Sequence, residues 1–269
     1  MTTRLEAGDA VLVIDAANGC RISSLQVRGD ELLRQGPEFG SFPMVPWCGR
    51  IDHGRFPVGG EIHQMPVNAP PHANHGTGRD VPWQRVAVAA DPDEGVRTAV
   101  FSYELADPWP YKGTVTQRFE LAGDGGALTV SMGVETAGVS FPAQVGWHPW
   151  FLRNLGRGGD VELAFSPVWQ EERGADHLPT GRRIEPQAGP WDDCFGMPYG
   201  TEVTLTWPEV LELTVTSRQE WLVVYDEQEA AVCTEPQSGP PNGLNTAPRL
   251  VTPVDPLEGA MTWTWRPLG

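Results

Sequence analysis

Short runs of alternating apolar and polar residues, each cut off by glycine or proline before a helix could complete, dominate this chain. Residues 11–14 and 21–27 read as an opening hairpin with Asn18-Gly19 as its turn. The runs 98–104, 113–121 and 127–136 follow, separated by Asp107-Pro108 and by Gly123-Asp124-Gly125-Gly126. Runs 160–165, 201–207, 211–217, 221–226 and 261–265 complete the set. Thr, Val, Phe and Trp at alternate positions suit pleated, half-buried strands. With 31 Gly and 26 Pro, no window keeps a 3.6-residue period over several turns. The pattern predicts an all-β protein with little helix: a large antiparallel β-sandwich, formed as one domain over residues 1–269. Alternation assigns Trp207, Trp221, Trp263 and Trp265 to its core.

The charge balance narrows the partners. A net charge of -16 argues against nucleic acid or an anionic membrane surface, since either needs a basic face. A small anionic ligand stays open, because two local arginines can hold one phosphate against a distant negative field. The N-terminal residues carry no apolar leader core, and no later stretch is long enough to span a bilayer. Cys20, Cys48, Cys194 and Cys233 lie far apart with no C-x-x-C pair. They read as reduced thiols in a cytoplasmic protein, not as a zinc site or a disulfide framework.

The loops and strand ends carry unusual polar residues. In Gly146-Trp147-His148-Pro149-Trp150-Phe151 a histidine ends a strand between two indoles and before a rigid proline. Such a dry setting moves its proton affinity and suits an acid near neutral pH; the plainer reading is a core histidine with a backbone partner. Glu235, in Thr234-Glu235-Pro236-Gln237, likewise ends an apolar strand before proline, as a general base would. Arg50 follows a tight glycine, with Arg55 five residues on, and its guanidinium suits sugar hydroxyls, an anion or a structural carboxylate. The loop 68–79 holds His72, His75 and Arg79. No third donor sits near the two histidines to complete a metal site, and His72 reads as a solvated loop residue. The acidic pair Asp192-Asp193, beside Trp191 and Phe195, suits hydroxyl binding with ring faces covering a sugar, or simple turn capping.

Five of these segments, in order from about residue 45 to 245, resemble the aldose 1-epimerase (mutarotase) family: Gly49-Arg50-Ile51, His75-Gly76, Gly146 to Phe151, Asp192 to Phe195 and Thr234 to Gln237. The resemblance implies the galactose mutarotase-like supersandwich with its site in a cleft on one face. It implies that Glu235 takes the proton of the C1 hydroxyl and His148 delivers one to the ring oxygen. It also implies that Arg50, His75 and Asp192 bind the sugar, with Phe195 aligning Asp192 rather than Asp193. Opening a hemiacetal needs one proton removed at O1 and one delivered at O5, so a base and an acid suffice without cofactor or metal.

Two departures bear on the substrate. Gly49 stands where the family often has Asn, which removes one expected polar contact. Arg79, four residues after His75, resembles relatives acting on hexose 6-phosphates, with Arg50 and Arg55 as its companions. The expected substrate is a neutral aldose such as glucose or galactose, with a hexose 6-phosphate or other anionic sugar as the alternative. Two other classes compete: a non-catalytic sugar-binding domain on the same fold, and a glycoside hydrolase needing a second carboxylate within about 5–10 Å of Glu235. Retention of both His148 and Glu235 favours the mutarotase.

Overall fold

The computed structural model describes residues 2–90 and 97–269. Among these, two large antiparallel sheets of eleven and eight strands account for most of the chain. Each alternating run forms a strand where the pattern placed it, for example Arg97–Glu104, Thr114–Leu121, Ala127–Glu135, Thr201–Trp207 and Leu211–Ser217. Several strands escaped the pattern reading, among them Gln84–Ala90, Trp169–Arg173, Pro179–Ile184, Asp192–Gly196 and Thr2–Ala7. Thr2–Ala7 buries Thr3, Leu5 and Ala7 and leaves Arg4 and Glu6 outside. Its small inward residues carry the alternation too weakly to stand out. The helical content among the described residues is a single short turn, Gly243–Thr246, and two 3-10 turns.

The two sheets share one apolar core. From the larger sheet Leu12, Ile14, Trp147 and Phe151 enter it; from the smaller, Phe101, Phe119, Trp207 and Trp263 meet them. Trp221 departs from its core assignment. It is half-buried on the opposite face, edge-on to Trp169 and under the guanidinium of Arg183.

Across the larger sheet the strands run Ser41–Met44, Gly146–Leu152, Ala231–Gln237, Trp221–Tyr225, Asp192–Gly196, Trp169–Arg173 and finally Pro179–Ile184 at the edge. The residue alternation on the second of these decides everything that follows. Trp147 and Phe151 face the core, so His148 and Trp150 face the other way. Burying Trp147 and Phe151 holds that strand in place, and truncating such an aromatic costs about 3–5 kcal/mol.

Neither His148 nor Glu235 ends its strand, contrary to the sequence expectation. Gly146–Leu152 continues through Pro149, and Ala231–Gln237 continues through Pro236. The two strands pair at Gly146 with Gln237 and at Trp150 with Cys233, with the rungs between left unpaired. Both prolines lie in that interval, and neither can donate to a ladder. Each is tolerated because it falls in the gap its neighbour makes. His148 and Glu235 stand opposite each other in the middle of it.

Candidate active site

The register of the larger sheet sets the site out in rungs. Phe42, His148, Glu235, Val223 and Cys194 lie side by side on five successive strands. The next rung reads Trp150, Cys233, Tyr225 and Asp192. On the other side of the first, Gln237 lies opposite Gly146. A Cβ at Gly146 would come 2.9 Å from both the Cβ of Gln237 and the sulfur of Cys48, so only glycine leaves room there. Above these rungs is a cavity of about 240 Å³ bordered by His148, Glu235, His75, Arg50, Asp192 and Gln237, with Trp150 and Tyr225 supplying aromatic wall.

His148 Nε2 lies 3.2 Å from Glu235 Oε1, and both residues are buried. Burial, together with the nearby charge of Arg79, lowers His148 to about 3. Burial, reinforced by Asp192 and offset in part by Arg50, pushes Glu235 well above the carboxylate range. Both shifts favour a hydrogen bond between neutral partners over an ion pair. With the proton on Glu235, the carboxyl donates to His148 Nε2, and the single N–H of the neutral imidazole sits on Nδ1, which is buried without a partner among the described residues. Phe42 and Trp150 both stack on the imidazole, with ring centroids 4.6 and 5.0 Å away.

His75 stands edge-on to His148 at 5.0 Å. Burial and the neighbouring His148, Arg79 and Arg50 keep it neutral, well below the usual imidazole range. Its Nδ1 is 3.0 Å from the sulfur of Met44, which can only accept, so Nδ1 carries the hydrogen and Nε2 is left as an acceptor. A two-strand ladder pairing Arg50 with Asn74 brings the arginine beside this histidine. Gly49, at φ 60°, is covered by Pro241, which a Cβ would approach to 3.0 Å. The polar contact expected from an asparagine there is absent, but Asn74 borders the same cavity, and its buried side-chain carbonyl has no partner among the described residues.

Asp192, rather than Asp193, shares the face of Glu235, since its rung carries Tyr225 and Cys233. One of its oxygens gathers Arg173 Nη1 and His177 Nδ1, each at 3.2 Å, and Arg50 Nη2 at 3.9 Å. Arg173 also meets Asp193 at 3.4 Å and Glu227 at 3.8 Å, so three carboxylates share its charge. Arg173, His177 and Gln237 were not singled out as site residues from sequence. Gln237 lay in the Thr234 to Gln237 segment; it is fully buried, and both polar atoms of its amide lack partners among the described residues. Arg173 and His177 carried no signal, because a polar hairpin reads like any other.

Three expectations need correction. Arg79 does not border the cavity; its guanidinium lies 4.1 Å from the centre of the Phe42 ring, and Phe42 stacks on His148. Arg55 is exposed and bonds Gln64, away from the site. His72 is not solvated but 1% exposed. Two groups among the described residues bring three potential metal donors within 4.8 Å: Asp52, His53 and His72, and His148, Cys233 and Glu235. In the first, both ring nitrogens of His72 already have partners. In the second, burial pushes the Cys233 thiol far up, away from the thiolate that a metal needs. All four cysteines are unpaired and buried.

A model of the aldose 1-epimerase family matches residues 1–251. Over 132 residues the chain is 33% identical to the uncharacterized protein YphB of Escherichia coli K12, a match covering 45% of this chain and 41% of that one. The chain thus spans less than half the length of that curated relative. Among solved structures, a galactose mutarotase-like protein from Clostridium acetobutylicum superposes with a TM-score of 0.86 at 16% identity, covering 98% of this chain and 94% of its own. A galactose 1-epimerase from Lactobacillus acidophilus gives 0.83 at 17%, covering 99% and 94%. A galactose mutarotase-like protein from Lactobacillus casei gives 0.80 at 16%, covering 99% and 100%. At such identities these likenesses establish the fold.

Proposed function

This chain belongs to the aldose 1-epimerase family, and on that premise we propose that it is a mutarotase interconverting the α and β anomers of a neutral aldose. The observation that carries the reading is the contact of His148 Nε2 and Glu235 Oε1 at 3.2 Å on the cavity floor. Two such atoms reach the two oxygens bonded to one anomeric carbon. The pair holds one exchangeable proton. With that proton on His148, Glu235 takes the hydrogen of the C1 hydroxyl while His148 protonates the ring oxygen. The ring opens, and the pair is left with its proton on Glu235, the resting arrangement. The aldehyde turns about C1–C2, and the proton transfers run backwards as the ring closes on the other face. No net proton enters or leaves, and general acid–base help of about 10²–10⁴-fold per group is the expected scale.

The surroundings favour a neutral sugar over a hexose 6-phosphate. Arg79 and Arg55 lie off the cavity, and the charge of Arg173 is shared by Asp192, Asp193 and Glu227. A dianionic phosphate would meet Glu171, Asp192, Asp193 and Glu235, and of the two arginines bordering the cavity Arg50 also faces Asp192, at 3.9 Å. Exchange NMR between anomers tests the reading, on a mixture of glucose, galactose and glucose 6-phosphate. Cross-peaks that grow only with protein and vanish in His148→Asn or Glu235→Gln support it. Line broadening without exchange indicates a non-catalytic sugar-binding protein and defeats it. Exchange confined to glucose 6-phosphate keeps the mutarotase and overturns the neutral substrate.

A further inference from the structure

His72 has no place in the chemistry above, yet its ring is buried and both ring nitrogens have hydrogen-bond partners. Its backbone is pinned to Ala69 by a reciprocal pair of hydrogen bonds at 2.8 and 3.0 Å. Its Nδ1 lies 3.1 Å from the backbone nitrogen of His53. A backbone N–H can only donate, so Nδ1 is the acceptor and the ring hydrogen is on Nε2. That Nε2–H points at the carbonyl oxygen of Asp176, 3.0 Å away and 104 residues further along the chain.

Asp176 lies in the turn joining Trp169–Arg173 to Pro179–Ile184. The turn is closed by Gly174 N–H donating to Leu178 at 2.8 Å and His177 N–H donating to Gly174 at 3.0 Å. His177 itself sits at φ 64°, in the left-handed region that residues other than glycine enter in few places. From either side of this turn Arg173 and His177 reach the same oxygen of Asp192. The second strand of the hairpin is the free edge of the sheet, with no residue fully buried. Leu178 is the one residue buried between Gly174 and Ile184, so a part-buried hydrogen bond to the turn counts for more there than in the core.

We propose that His72 is a positioning residue: it ties the turn at Asp176 to the body of the molecule and so holds Arg173 and His177 against Asp192 at the cavity wall. The neutral Nε2–H tautomer is the form that makes both bonds. A cation at Asp52, His53 and His72 would have to displace one of them.

Two variants separate the bonds. His72→Asn keeps an acceptor near Nδ1 and loses the reach to Asp176, whereas His72→Gln can place an amide N–H near Nε2. In His72→Asn the Gly174 and His177 amides should exchange with solvent roughly three- to tenfold faster, the scale of one hydrogen bond. His72→Gln should restore most of the protection. Anomer exchange should show KM raised by a similar factor in His72→Asn, with kcat within about twofold. Combined with His177→Ala, which removes the ring that the tie positions, His72→Asn should add little further. Imidazole ¹⁵N NMR on the unmodified protein should show the Nε2–H tautomer at His72, and needs no variant to fold. An Nδ1–H tautomer, or hairpin amides that exchange alike in the unmodified protein and both variants, overturns the proposal. The KM measurement rests on the mutarotase reading. The exchange and tautomer measurements do not, so a protein that interconverts no sugar still leaves the tie tested.

Discussion

His148 and Glu235 face each other at 3.2 Å in a stretch of ladder from which two prolines have removed the backbone donors. Both groups are buried, and burial lowers the imidazole's proton affinity and raises the carboxyl's, which favours a neutral pair with its single proton on the carboxyl. That inverted resting state has measurable consequences.

The first is the pH profile of kcat/KM. The two limbs belong to the pair, which works only while it holds one proton. Acidification adds a second to His148, so the acid limb should fall at about 3. Alkali removes the first from Glu235, so the alkaline limb should lie well above the carboxylate range. An acid limb at an ordinary carboxylate value with an alkaline limb near 6.5, the ordinary imidazole value, would place the resting proton on His148 instead.

Glu235→Gln should lower kcat by about 10²–10⁴-fold and change the pH dependence of stability. The folded chain binds the Glu235 proton more tightly than the unfolded chain, whose value is near 4.5. The stabilisation from that proton is complete below 4.5 and is lost as pH rises through the raised folded value. His148 works the other way: the unfolded chain takes its proton from about 6.5 downward and the folded chain only near 3, so stability is lost as pH drops through that window. Thermal melts should show Glu235→Gln gaining on the parent as pH rises. Parallel curves across pH 5–9 would refute the shift.

Arg79 acts on the site through charge, not contact. Its guanidinium lowers His148, second only to burial. Arg79→Gln should therefore move the acid limb upward and cost about 0.5–1 kcal/mol of stability from the lost contact with Phe42. KM for a neutral aldose should stay within about twofold of the parent. A large rise in KM confined to phosphorylated sugars would return Arg79 to the substrate.

Gln237 buries an amide that makes no side-chain hydrogen bond among the described residues. Left so, such a group costs about 1–3 kcal/mol, which a sugar hydroxyl in the cavity would offset. Gln237→Leu should raise KM roughly three- to tenfold at similar kcat. Its melting temperature should equal or exceed the parent's. A destabilised variant with unchanged KM would make Gln237 a structural residue.

Much of this molecule was legible in the chain itself. Alternation reports which residues a sheet buries, and short-range patterning placed the longer alternating strands and the apolar runs leading to His148 and Glu235, while the strand carrying Asp192 read as a turn. The segments around Arg50 and His75 stood out because glycine and proline beside polar side chains mark fixed backbone. Two strands paired across the sheet lie beyond such signals. Only the register shows that His148 and Glu235 share a rung, that Asp192 rather than Asp193 shares their face, and that both prolines sit inside strands. Arg79 and His72 occupy one loop, and the sequence offered no means to see that one is turned toward Phe42 and the other toward Asp176. Arg173 and His177 were silent because their roles depend on a carboxylate that folding brings beside them. Periodicity is written residue by residue. The protonation state of a buried pair is a property of the space around it, and that space is closed by strands brought together only when the sheet forms.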